Sequence, residues 1–456
     1  MSIIAPQQQV CISKVHPQHV EGRFRQLKNA ISLILQAVLF VTPWLLWNGR
    51  PAVLIDLQGR RLHLLGATFW PQETHLLLLL LLSAGLTLFL VSATLGRLWC
   101  GFACPQTLLS HAFILVERLI QGDAAKRRRL NSAPWSEKLP KKLATWTIWL
   151  VMSVYLGITF AGYFAPIRDV VRGLSEGHPA SFTSGLIVFF TAVAMMFFGH
   201  IRGRFCVTIC PYARFQSALT TAQTRMVNYD AQRGEPRGKL TNPDAADCTD
   251  CKACVRVCPM GIDIRKGFQF ACINCASCID ACDDMMESVG RPKGLISFTS
   301  LEELQAREQR TILGWLRGLG PRPLLYTGLL AVVGSLLVFF TLTRSPFDFK
   351  VIRDSAGTAV TQTFDGRTSN RYILRLVNKV GQPQKVTVSL LQAPDGAELV
   401  LTENPCTLPP ESVTTLNALV ICPTRQGAPV VPMIIEVTSP DGSAKRTSTF
   451  AYGGHR

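Results

Sequence analysis

The chain has 456 residues, too many for one compact domain and enough for two or three. Only 17% are charged and 48% are hydrophobic, which leans toward a membrane protein. The formal charge of +17 does not point to nucleic acid. The basic residues flank apolar runs without interleaved aromatics, as they do where Lys and Arg crowd the cytoplasmic ends of membrane helices.

Residues 1–28 are polar and basic, with no apolar core before Leu33 and no small-residue cleavage pattern. A retained cytoplasmic arm is expected there, not a cleaved signal. Five stretches then match the roughly 20 apolar residues that a helix needs to cross about 30 Å of hydrocarbon. They are 29–47, 75–96, 143–164, 183–200 and 323–343. Backbone in lipid must satisfy its own hydrogen bonds, so helices are predicted. Trp44, Trp47, Trp99 and Trp146 fall near their ends, as interfacial aromatics do.

Segment 97–142 holds nine Lys or Arg, against three in 48–74 and two in 165–182. The loop 97–142 is therefore expected in the cytoplasm, with the N-terminus and 201–322 on the same side. Everything after 343 falls on the other side. The apolar run 105–121 begins with Pro105 and contains Glu117 and Arg118, so it reads as an interfacial or re-entrant helix. If it spans, this parity fails.

Two short motifs stand at the predicted cytoplasmic edge. Cys100-Gly-Phe-Ala-Cys104-Pro105 follows the second apolar run and Cys206-Val-Thr-Ile-Cys210-Pro211 follows the fourth. Each has an upstream Gly-Arg, Gly96-Arg97 and Gly203-Arg204, so the pair reads as an internal repeat. In a helix, i and i+4 thiols share one face, although the proline disfavours helix at Cys104 and Cys210. Four soft thiolates could bind Cu(I), bind a further cluster or cycle as dithiols; packing as small hydrophobes is the alternative. Met195, Met196, His200 and Met226 are further soft or imidazole groups nearby.

A dense block follows. It reads Cys248-x2-Cys251-x2-Cys254-x3-Cys258-Pro259, then Cys272-x2-Cys275-x2-Cys278-x3-Cys282. This is the bacterial two-cluster ferredoxin spacing, in which each fourth cysteine ligates the other cluster. One [4Fe–4S] cluster is expected on Cys248, Cys251, Cys254 and Cys282, the other on Cys272, Cys275, Cys278 and Cys258. Zinc knuckles use two C-x2-C pairs with a longer gap, a poorer match. Cys282 is followed by Asp283 where the spacing usually has proline. The acidic run Asp280, Asp283, Asp284 and Glu287 reads as a solvated face. No C-x-x-C-H, G-x-G-x-x-G after a strand, or P-loop occurs, so the electron donor is external or a quinol.

Residues 345–456 alternate β-branched and polar residues, with turns at Asp365-Gly366, Pro394-Asp395-Gly396 and Pro440-Asp441-Gly442. A small β-sandwich is predicted. Cys406 and Cys422 are candidates for a disulfide, with two free buried thiols as the alternative.

Long motifs give a family resemblance: WCGFACPQT at 99–107, CPYARFQSAL at 210–219, YDAQRGEPRG at 229–238, CTDCKACVRVCPMGIDIRKG at 248–267 and CINCASCIDACD at 272–283. The chain closely resembles the FixG/CcoG (RdxA) family, the accessory proteins of cbb3-type cytochrome c oxidase assembly, over nearly its whole length. The resemblance implies a multi-pass protein of the bacterial inner membrane. Its parts would be an arm (1–28), a four-helix membrane domain (29–222), a ferredoxin domain (223–300), a linker (301–322), a fifth transmembrane helix (323–343) and a periplasmic immunoglobulin-like domain (345–456). It also implies a cupric reductase that converts Cu(II) to Cu(I), with Cys100, Cys104, Cys206 and Cys210 as copper or redox thiols. Partners would be the bilayer, oxidase subunits or copper chaperones and transporters, an unidentified electron donor, and no nucleic acid; a homo-oligomer stays open. His200-Ile-Arg-Gly-Arg-Phe departs from the family pattern, which has an acidic residue after the arginine. A quinol-linked conduit like NapH and NosR, and a copper-binding scaffold with structural clusters, are the competing readings.

Overall fold

In lipid a helix must bury its own amides, and hydroxyls on it must find partners within the chain. Helix α2 (Thr74–Leu95) meets both demands. Ser83, Thr87, Ser92 and Thr94 each return their hydroxyl to the carbonyl four residues back, at 2.7–2.8 Å. The computed structural model describes residues 15–239, 241–306, 320–354, 360–363, 366–423, 430–440 and 442–452. Cys11, Asp365, Asp441 and most of the expected linker lie outside the described residues. Two units result, Met1–Val338 and Phe339–Arg456.

In chain order the helices of the first unit are α1 (Arg23–Val41), α2, α3 (Leu98–Phe102), α4 (Pro105–Gln121), α5 (Ala124–Ser132), α6 (Trp135–Ala161), α7 (Ile167–Ser175) and α8 (Ser181–Ala194). Helix α8 continues through π-turns over Met195–Ile201. Then come α9 (Gly203–Thr208), α10 (Pro211–Leu219), α11 (Ala231–Gly234), α12 (Ala253–Arg256), α13 (Ser277–Ser288), α14 (Leu301–Ala306) and α15 (Pro321–Leu342).

Among the described residues, six stretches are long and apolar enough to cross a membrane, one more than the sequence predicts. The addition is Leu98–Gln121, which joins α3 and α4. Its contacts return both of its ends to the ferredoxin side. At one end, α3 lies on the loop around Ile273 and Asn274. At the other, α5 bonds the N-terminal arm through Arg127 Nη2 to the Pro17 carbonyl at 3.4 Å, and Gln18 N bonds the Arg256 carbonyl at 2.9 Å. Both ends of the segment thus lie near the ferredoxin part. Residues at the far ends of α1 and α6 meet on the opposite side, where Tyr163 Oη donates to the Leu39 carbonyl at 2.9 Å.

A buried charge fixes α4 in place. Glu117 is wholly buried, with Arg202 Nη1 at 2.7 Å and Arg127 Nη1 at 3.5 Å from its Oε2. Arg202 also stacks over Trp149, 4.9 Å from the ring centroid. Low dielectric makes such a triad costly to break, because any survivor is a buried charge without its partner.

The ferredoxin part closes on a two-stranded pairing, Met226–Tyr229 against Ile296–Thr299. Val227, Ile279, Met286, Leu295 and Ile296 form its core together with Cys248 and Cys254. Asp280 is not a solvated acid: it is 4% exposed and accepts from Phe24 N at 3.2 Å and Arg25 N at 2.8 Å. It thus satisfies orphan amides at the start of α1, where the helix dipole also favours a carboxylate. Asp283 and Glu287 do face outward, toward Gly294 N and Lys293.

The second unit is a β-sandwich. One sheet orders Glu398–Leu401, Val413–Cys422, Thr368–Asn378 and Phe347–Arg353, with Val360–Gln362 also on Thr368–Asn378. The other orders Cys406–Leu408, Gln384–Gln392, Val430–Ser439 and Gly442–Ala451. Inward residues such as Phe349, Tyr372, Leu374, Val386, Ile435 and Phe450 form the core between them. The expected Cys406–Cys422 disulfide is not formed: both are free, buried thiols on opposite sheets. They fill core positions as small hydrophobes, and burial pushes Cys422 up to about 11.

Candidate iron–sulfur and thiol centre

The two cysteine loops share one backbone device. Asp250 and Lys252 flank Cys251 with φ of 49° and 57°; Asn274 and Ala276 flank Cys275 with φ of 53° and 58°. Non-glycine residues rarely adopt this conformation, and here it recurs at matching positions. Left-handed residues on either side of the middle cysteine curl each loop about a point, the shape of an anion-holding nest of amides.

Two matched small cavities of about 20 Å³ result. Cys248, Cys251, Cys254 and Cys282 line the first. Cys258, Cys272, Cys275 and Cys278 line the second, which Cys254 also touches. The last cysteine of each motif is thus brought to the other motif's loop. Among the described residues, no three His, Cys, Asp or Glu side chains close on a single point. Burial pushes Cys254 and Cys258 up to about 11, and Cys272 and Cys282 up to about 12. Thiols so desolvated are poor nucleophiles, but iron can replace their protons. Donor type, number and cradle all fit a pair of cubane clusters.

Each C-x3-C-P motif is a short helix that ends before its proline. Cys100 lies in α3 and Cys206 in α9. Cys104 and Cys210 are extended caps, with ψ of 126° and 115°, at the start of α4 and α10. The preceding-proline effect therefore wins over continuous helix, and i and i+4 are not stacked on one turn. Cys100 nevertheless lies within electrostatic reach of Cys104, Cys206 and Cys210. Burial, and then Cys104 and Cys210, push Cys206 up to about 11, against the pull of Arg97.

This group abuts the second cavity. Cys100 and Cys206 belong to one packed cluster with Met260, Ile273, Cys258, Cys272 and Cys275. The contact depends on Gly101, where a Cβ would stand 2.6 Å from the Ile273 carbonyl oxygen and 2.8 Å from that of Asn274. The second motif has Val207 at the equivalent place, so only the first copy brings its backbone this close.

Sequence reading noted the upstream Gly-Arg pairs but not their use. Arg97 is buried and donates to Gln216 Oε1 at 2.9 Å, to the Phe270 carbonyl at 2.5 Å and to the Cys272 carbonyl at 3.4 Å. Gln216 in turn donates to Ser92 Oγ at 3.3 Å and faces Cys100 Sγ at 3.7 Å. One guanidinium therefore ties the first motif, the second motif's helix and a cluster loop together. The second copy diverges: Arg204 is exposed, and Arg202 enters the Glu117 triad. Met195 packs on Ser153, and Met226 lies in the ferredoxin strand.

Comparison with known proteins matches these parts. A family model described as a 4Fe-4S dicluster domain covers residues 201–301. One described as a 4Fe-4S binding domain covers 76–121 and 181–220, both halves of the repeat. A third, the IG-like fold at the C-terminal of FixG, covers 337–453. Protein RdxA of Cereibacter sphaeroides is 40% identical over 386 residues, 82% of each chain. Nitrogen fixation protein FixG of Rhizobium meliloti is 37% identical over 416 residues, 83% of this chain and 78% of the relative. Protein RdxB of Cereibacter sphaeroides is 40% identical over 409 residues, 86% of this chain and 85% of the relative. A crystal structure of a FixG-related protein from Vibrio parahaemolyticus matches 24% of this chain and 96% of its own, with 18% identity and a TM-score of 0.21.

Proposed function

The chain belongs to the FixG/RdxA family of membrane iron–sulfur electron-transfer proteins, and from that premise we propose that it reduces Cu(II) to Cu(I) for the copper centre of a cbb3-type oxidase. Cys248, Cys251, Cys254 and Cys282 hold one [4Fe–4S] cluster; Cys258, Cys272, Cys275 and Cys278 hold the other. Bound clusters supply one electron at a time, and Cu(II) to Cu(I) takes one.

The packing of Cys100 and Cys206 against Cys258, Cys272 and Cys275 carries this reading. It makes the second cluster's loop one wall of a four-thiol site. Thiolate sulfur prefers the reduced ion, so Cys100, Cys104, Cys206 and Cys210 would hold copper more tightly once it has gained its electron. Arg97 holds the geometry by bonding to Gln216 and to the carbonyls of Phe270 and Cys272. Its charge also lowers the cost of thiolate formation at Cys206.

The exposed Lys126, Arg128 and Arg129 on α5 favour a cytoplasmic ferredoxin side and a periplasmic sandwich, by the positive-inside bias. Oxidase subunits or a copper chaperone would then meet the protein at the inner membrane.

Dithionite-reduced protein, freed of excess reductant, is mixed with Cu(II) and a Cu(I) chelator. One Cu(I) per cluster reoxidised is expected. Clusters that stay reduced while no Cu(I) forms would sink the reading. Intact oxidase assembly with Cys251→Ala would instead favour a scaffold with structural clusters.

A further inference from the structure

A cavity of about 390 Å³ lies where the membrane helices meet the ferredoxin loops. One wall comes from apolar spans, with Lys28 of α1 and Ser110, His111 and Ile114 of α4. The opposite wall is Pro259, Met260 and Ile273. Met260 and Ile273 also line the second cluster cavity, so these side chains separate the two spaces. Exposed Arg204 and Thr208 lie at the rim.

The lining defines the ligand class. It is mostly apolar with a few converging polar groups, the usual character of a small-molecule site of this size. Lys28 is only 6% exposed, with no hydrogen bond or ion pair among the described residues, and lies within electrostatic reach of Cys275. A buried amine without a partner is costly unless a ligand supplies one. His111 contacts Arg25 and also faces the cavity. The basic lining groups are Lys28, Arg202 and Arg204, and no acidic side chain is among them. Arg202 is paired with Glu117 and Cys206 also lines the cavity; the buried Lys28 suits an electron-rich oxygen.

We propose that this cavity binds a membrane hydroquinone, the electron donor to the second cluster. The inference names the donor for the function proposed above and rests on that reading. Lys28, a donor in either protonation state, holds one ring oxygen, with Ser110 and His111 available to the other. Oxidation gives quinone, two electrons and two protons. The electrons go singly, one to each cluster, entering past Met260 and Ile273. The protons leave through His111 and water at the Arg204–Thr208 rim. A donor dissolved in lipid reaches the site from the apolar wall, with no soluble partner.

Full-length protein with both clusters oxidised is mixed with decylubiquinol, and cluster reduction is followed by absorbance and electron paramagnetic resonance. Wild type is expected to be reduced. Lys28→Met should raise the half-saturating hydroquinone concentration about tenfold or more, the loss of one charge-assisted hydrogen bond. Ile114→Trp, which fills the cavity, should abolish reduction. Both variants should keep wild-type iron content and dithionite-driven Cu(II) reduction. No reduction of wild type by hydroquinone, with dithionite-driven Cu(II) reduction intact, overturns the donor and leaves the cupric activity standing. Equal reduction in wild type and both variants overturns the cavity as the site. Hydroquinone reduction without any reaction with Cu(II) overturns the cupric reading alone.

Discussion

Gly101 is the point where one added carbon tests the coupling between the thiol group and the second cluster loop. In Gly101→Ala the Cβ would stand 2.6 Å from the Ile273 carbonyl oxygen, where ordinary contact begins at 3.4 Å. The obstacle is backbone on a curled loop, held by positive-φ residues at Asn274 and Ala276, so it cannot rotate away. Helix α3 must therefore withdraw by about 0.8 Å. Overpacking of this kind costs about 1–3 kcal/mol. That weakens the docked arrangement by roughly 5- to 150-fold. Hydrogen exchange of the amides in 272–278 reads the change directly, since local opening scales with the lost free energy. Reoxidation of reduced clusters by Cu(II) should slow in the same variant while iron content is unchanged. Gly85→Ala, whose Cβ meets nothing within 4 Å, is the control. Exchange and reoxidation rates matching the control in Gly101→Ala would falsify the claim that this contact couples the two sites.

Glu117→Ala leaves Arg127 and Arg202 buried without their shared carboxylate, so a loss of about 3–5 kcal/mol is expected in thermal or denaturant unfolding in detergent. An unchanged transition would mean that the triad does not hold α4. Cys251→Ala removes one sulfur from the first cavity alone, and iron analysis should find about half the wild-type content; full iron would reject the ligand set. The Arg265 side-chain hydrogen bonds hold Asp263 below its usual 3.8. A depressed carboxyl contributes stability above 3.8 and loses it as pH falls through the lower folded value. Wild type should therefore outlast Asp263→Asn at neutral pH and converge with it in acid, read by tryptophan fluorescence; a constant gap would reject the pairing. Cys406 and Cys422 should alkylate without reductant, but only after unfolding. A mass change on reduction would restore the disulfide.

Covalent spacing by itself determined the chemistry of the cysteine loops. Two-residue gaps leave a chain little choice but to curl, so the exchange of Cys258 and Cys282 between cavities was legible before any fold was known. The apolar runs and the alternating strands were legible for the same reason, since period and length are local properties. The sandwich strands were readable where neighbouring residues alternate, but the state of Cys406 and Cys422, on strands of different sheets, was not. The role of 105–121 was only half legible: Glu117 marked it as unusual, while its partners lie ten residues ahead in α5 and beyond α8. Asp280 looked solvated because its acidic neighbours are, and only the approach of α1 made it a cap. Tertiary structure alone decided that the two thiol motifs face one another and the second cluster loop. That convergence runs through Arg97 to Gln216 and Cys272, more than a hundred residues away, and through the bare backbone of Gly101. Contacts at such separation are set by which surfaces pack, and no periodicity in the chain encodes them.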